Sequence, residues 1–260
     1  MLRCIKADVF RTEKKVSTII TFSIAFAILI ILGLVSMANI IPLEEAIPQL
    51  SGRGEVYKLL MDIGVSFFPL MIGIPAYIGI FNDDFKSHSL QYSIGHGMSR
   101  SKIVISRFLE IVIILVEAFV IVSIIVAVMG LMSDVDGKYI CDALKSTWEY
   151  VPLTITMITA SMVFVYLTQG GTVGMIIFIL LSSGVVSTLI AMFQLIPFLS
   201  KSKLGFDLIN LTIDGMYSNV YNSELDTGKR VLYGCIVVAV YVIIPIILSL
   251  RIFKRKELEF

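Results

Sequence analysis

The chain has 260 residues, of which 57% are apolar and only 16% are Asp, Glu, Lys or Arg; the net charge is +1 and the mean hydropathy is +0.92. Soluble domains carry about 25% charged residues, so this composition excludes a soluble enzyme and a disordered chain, and the near-zero net charge leaves no basic field for nucleic acid. It is the composition of an integral membrane protein.

Residues 2–15 come first. Leu2, Ile5 and Val9 fall on one helical stripe, with Arg3, Lys6, Arg11, Lys14 and Lys15 around it. This pattern fits an amphipathic helix on a membrane surface with its cations near anionic headgroups; the plainer alternative is a positive flank that fixes topology. Val16–Leu43 carries no charge, which places a first span near 17–41, since about 20 apolar residues cross the hydrocarbon. Ser36-Met37-Ala38 resembles a cleavage site, but the polar lead and the long apolar run point to a retained anchor.

A second span is expected near 60–81. Pro69 and Pro75, with Gly64, Gly73 and Gly79, make it easy to bend, because an intramembrane proline leaves carbonyls that need other donors. The loop that follows, Asn82-Asp83-Asp84-Phe85-Lys86-Ser87-His88-Ser89-Leu90-Gln91-Tyr92-Ser93-Ile94-Gly95, reads as a short helix over 84–94. Its acids would cap the N-terminus and Gly95 and Gly97 would end it. Phe85, His88, Ser89 and Tyr92 then share one face, and Leu90 and Ile94 the other. Such a helix either docks into a partner or lies as a plain interfacial loop.

The third span, near 103–132, contains Glu110 and Glu117. A carboxylate at mid-bilayer costs about 3 kcal/mol. Glu117 reads as part of a polar route between helices, or as a protonated or hydrogen-bonded group in a helix contact. Glu110 lies on nearly the same face and is within reach of pairing with Arg107.

Tyr150–Ser200 is 51 residues without a charge, about 76 Å as helix and too long for one crossing. It must fold back, and Gln169-Gly170-Gly171-Thr172 is the turn, giving spans near 150–168 and 173–198 with Gly170 and Gly171 as hinge candidates. Loop 200–230 is expected outside, with short capping helices. A sixth span fits 231–250. Lys and Arg concentrate in the N-terminal segment, the 82–102 loop and the tail, so both termini are expected in the cytoplasm.

Three scattered cysteines, Cys4, Cys141 and Cys235, and two histidines give neither a disulfide framework nor a metal site. No P-loop, H-E-x-x-H or G-x-S-x-G occurs. The Glu44-Glu45 pair lacks the arginine four residues on that a CAAX-protease-like enzyme would show.

In this topology the chain resembles the permease subunits of bacterial type-2 ABC exporters, of the kind linked to peptide export and antimicrobial-peptide immunity. The likeness rests on the lead-in Met1–Arg11, on the loop Tyr92–Arg107 with its Gly97-Met98-Ser99-Arg100 and basic run into span 3, and on the tail Phe253-Lys254-Arg255-Lys256-Glu257. It implies an all-α, six-span type-2 ABC exporter-like domain over 1–260 in the bacterial cytoplasmic membrane. It also implies that residues 84–94 are a coupling helix, with Asp84, Phe85, Lys86, His88, Tyr92 and Arg100 contacting an ATPase; such proteins often have glycine near His88. The chain would hold no cofactor and be no enzyme by itself. ATP and magnesium would sit on two copies of an ABC ATPase subunit, a second permease copy would complete a homodimer, and the cargo would be an amphipathic peptide. From other classes, an ion-coupled carrier using Glu117 and a non-transporting immunity or scaffold protein remain as alternatives.

Overall fold

The computed structural model describes residues 2–38, 52–86, 89–194, 208–222 and 224–255. Among them the chain is helical, with no strand. The helices are α1 Leu2–Glu13, α2 Val16–Ala38, α3 Arg53–Ser66, α4 Phe68–Ala76, α5 Asp83–Lys86, α6 Ser89–Gly95, α7 Arg100–Met132, α8 Gly137–Thr168, α9 Gly171–Ser182, α10 Val185–Gln194, α11 Ile213–Tyr221, α12 Thr227–Val237 and α13 Ile244–Arg255. Wider π turns join α4 to α5 over Tyr77–Asn82 and α12 to α13 over Val238–Ile243.

Five of the resulting helices are long and apolar enough to cross a membrane: Val16–Ala38, Arg53–Asn82, Arg100–Met132, Gly137–Thr168 and Thr227–Arg255. A sixth crossing is present if α9 and α10 count as one span. They are bent by 59° at Ser183-Gly184, where Gly184 takes φ +69°, a conformation that costs a side-chain-bearing residue. The fifth span expected over 173–198 is a bent pair, and 195–198 lie outside the described residues, as do 39–41 of the expected first span. The turn expected at Gln169–Gly171 is present, with Gln169 at φ +54°. At 33 and 32 residues, α7 and α8 are each about 50 Å long, more than the hydrocarbon needs, so their charged first turns extend beyond it.

Unit 1 comprises residues 1–79 and 109–152. Its core is aromatic and aliphatic. Phe68 stacks between Phe26 and Phe119 at 5.8 and 5.6 Å, in the spacing range that aromatic pairs favour. Gly64 lets α2 approach α3 closely: a Cβ there would stand 2.6 Å from a Leu29 methyl. The Tyr57 hydroxyl donates to the Val126 carbonyl at 2.5 Å, so its polar end has a partner where no water is available. Pro69 occupies the first turn of α4, just past the helix break at Phe67, where its missing N–H costs nothing. Pro75 lies inside α4, directly before the π turn. Both prolines thus mark irregular backbone in the second span.

Unit 2 comprises residues 80–108 and 153–260. Here α11 starts at an N-cap, where the Thr212 hydroxyl accepts from Gly215 N at 3.0 Å. It is seated by two polar contacts. The Tyr217 hydroxyl shares a 2.7 Å hydrogen bond with Thr156 of α8, and the Ser187 hydroxyl of α10 donates to Asp214. Burial pushes the Asp214 carboxyl above the usual aspartate range, against the pull of that serine; burial likewise pushes the Tyr217 phenol up, against Thr156. The expectation of short helices in the 200–230 loop holds for its described part; 200–207 lie outside the described residues.

Candidate functional site

In the loop between the second and third spans, helical backbone runs on from Tyr77–Asn82 straight into Asp83–Lys86, so Asn82–Asp84 are not the free N-cap of a new helix. The backbone is helical again over Ser89–Gly95. Ser87 and His88 lie outside the described residues, as do the side-chain placements of Lys86 and Tyr92. Phe85 is half-buried. Gly97 takes φ +83°, and α7 then begins at Arg100.

Around this loop unit 2 gathers a junction. Asp84 and Arg107 form an ion pair at 2.5 Å, with side chains only 2% and 8% exposed. Arg107, expected within reach of Glu110, pairs with Asp84. Arg100 reaches the far end of the chain: its guanidinium donates to the Phe253 carbonyl at 3.1 Å and lies 5.9 Å from the Phe253 ring centroid. A cation suits the carbonyl-rich C-terminal end of α13. The Phe253 ring meets Tyr166 at 5.0 Å, and Tyr166 meets Phe81 edge-on at 6.1 Å; all three rings are fully buried. The start of α9 closes the group: a Cβ at Gly171 would stand 2.7 Å from the Asn82 nitrogen and 2.9 Å from its Cα. Ends of four membrane helices are thus tied to one short loop.

A second polar group lies in unit 1. The buried stripe of α1 is Ile5, Val9 and Thr12, so the apolar face expected on the membrane surface is covered by protein. Phe10 is exposed instead, with the Lys14 ammonium 5.6 Å from its ring centroid. The Thr12 hydroxyl donates to Glu110 at 2.8 Å; Glu110 has no exposed surface, so its carboxyl belongs to a helix contact. Lys15 donates to the Gly79 carbonyl. Glu117 lies midway along α7, on an exposed position of the helix.

Of the residues singled out from the sequence, Asp84 and Arg100 meet in the unit 2 junction. Glu110 meets α1 in unit 1. Pro69 and Pro75 flank backbone breaks, and Gly171, unlike Gly170, is held in a close contact. Sequence reasoning missed Tyr166, Phe253, Phe81 and Thr12. The aromatics looked like ordinary span residues. Among the described residues no cluster of His, Cys, Asp or Glu suits a metal ion. No protein-family model matches the chain, and no curated protein matches it.

Proposed function

We propose that the chain is the membrane-spanning permease subunit of an ATP-driven exporter of the type-2 ABC kind in the bacterial plasma membrane. Two copies would work over two separate ATPase subunits, with an amphipathic or antimicrobial peptide as cargo and both termini in the cytoplasm. The reading starts from the resemblance of the 82–107 loop and the chain ends to that family. The observation that carries it is the buried Asp84–Arg107 pair. A loop helix that receives the closure of a soluble ATPase has to pass the movement to the spans without slack, and a desolvated ion pair to the first turns of span 3 is a stiff tie. Arg100 and the Phe253–Tyr166–Phe81 rings extend the tie to the ends of spans 6, 4 and 2. ATP-driven closure below would then bias two packings of the spans.

The test is affinity purification from native membranes followed by an ATPase assay. A stoichiometric ATP-binding subunit with vanadate-sensitive hydrolysis is expected. Phe85→Ala and Tyr92→Ala are expected to uncouple hydrolysis from export while membrane insertion persists. A chain that purifies without such a subunit overturns the reading.

A further inference from the structure

We propose that the outward stripe of the N-terminal helix, Lys6, Phe10 and Lys14, binds anionic lipid headgroups at the membrane surface where the first span enters. The geometry lies within unit 1 and does not depend on the exporter reading. One face of α1 is already taken. Ile5, Val9 and Thr12 are buried, and the Thr12 hydroxyl donates to Glu110. Just past the helix, Lys15 donates to the Gly79 carbonyl. These contacts fix the rotation of α1 about its axis. Lys6 and Phe10 are four residues apart, so they follow one another along one stripe. Lys14 continues it, its backbone N–H donating to the Phe10 carbonyl at 3.2 Å. All three residues are exposed. Phe10 keeps 60% of its surface open, with the Lys14 ammonium 5.6 Å from its ring centroid.

The start of α2 indicates what covers this stripe. α1 ends at Glu13, and α2, a 23-residue helix without a charge, begins at Val16. Phe10 precedes that residue by six positions, about 9 Å as helix, whatever direction α1 takes. A helix lying at a bilayer surface seats its apolar groups about 5–10 Å into the boundary between headgroups and acyl chains, so the ring is within reach of that boundary. The ammonium groups on either side of it suit headgroup phosphates, while their alkyl stems lie along the apolar layer. Residues 1–15 hold five Lys and Arg against two acids. Arg11 faces Asp8 at 3.9 Å and sits off the stripe, so the charge on the stripe is that of Lys6 and Lys14. A second copy placed face to face would set lysine against lysine, which like-charge repulsion disfavours.

The test uses the full chain carrying Phe10→Trp and Trp148→Phe, in nanodiscs of phosphatidylcholine alone or mixed equally with phosphatidylglycerol. The chain has one tryptophan, so this pair of substitutions leaves a single indole, on α1. In the anionic discs, lipid brominated near the top of its acyl chains is expected to quench that indole, and acrylamide in the water to quench it weakly. Bromolipid quenching is expected to be lower by about twofold or more in phosphatidylcholine alone, and to drop to that level in the anionic discs at high salt. Adding Lys6→Gln and Lys14→Gln is expected to abolish the difference between the two lipids. All four substitutions are at exposed positions, so the comparison is between folded chains. An indole open to acrylamide and untouched by bromolipid overturns the proposal. Equal quenching in both lipids overturns it too, since the ring would then be buried without recognition of charge. So does shielding from both quenchers, since protein would then cover the face.

Discussion

Asp84 and Arg107 form a 2.5 Å ion pair with almost no access to solvent, at the point where the second span runs into the loop before the third. Removing one partner takes this contact from a buried charge, which costs about 3–5 kcal/mol. Asp84→Ala and Arg107→Ala are each expected to lower stability by an amount of that order in thermal or denaturant unfolding in mild detergent. The double variant is expected to cost clearly less than the sum of the two. Additive losses would show that the pair contributes nothing as a pair.

Gly170 and Gly171 are neighbours with different constraints. A Cβ on Gly171 would press on the Asn82 backbone, which has no flexible end to move aside; a Cβ on Gly170 would meet nothing closer than 4.0 Å. Gly170 also has extended backbone, at φ −157°. Gly171→Ala is expected to destabilise the chain by about 1–3 kcal/mol through overpacking, with Gly170→Ala within about 0.5 kcal/mol of wild type. Comparative unfolding of the two variants in detergent checks this.

Asp214 gives a pH dependence of known sign. Burial raises its carboxyl above the ordinary aspartate value, so the folded protein holds that proton more tightly than the unfolded chain does. Its contribution to stability is complete below the unfolded value, near pH 4, and is lost as pH rises through the folded value. Asp214→Asn removes the titration while keeping an acceptor for Ser187. The variant is expected to match wild type in acid and to gain on it as pH rises, read as the difference in midpoint across a pH series.

The proposed orientation puts the first turns of α8 outside the cell. Cys141 lies there, free and exposed. In a chain lacking Cys4 and Cys235, an impermeant maleimide is expected to label Cys141 in intact cells. A cysteine placed at Ser99, exposed in the loop before α7, is expected to be labelled only after the cells are opened. The reverse pattern would invert the topology.

Much of the architecture was legible in the residues alone. The absence of charge across Val16–Leu43 and Tyr150–Ser200, set against the length of one crossing, gave an all-helical multi-pass chain and forced the fold-back at Gln169–Gly171. These follow from the cost of placing charge in hydrocarbon, which depends on local sequence. Tertiary structure decided the rest. Arg107 is three residues from Glu110 and distant in sequence from Asp84, yet it pairs with Asp84 because the second span stays helical past its expected end. Gly184, one glycine among 18, became the site of the 59° bend because that position alone between α9 and α10 has a left-handed backbone. Thr12 found Glu110, far away in sequence, through the packing of α1 on α7. A sequence prescribes how long each apolar helix must be; which faces meet depends on helix rotation and tilt, and those are set by packing among all the helices together.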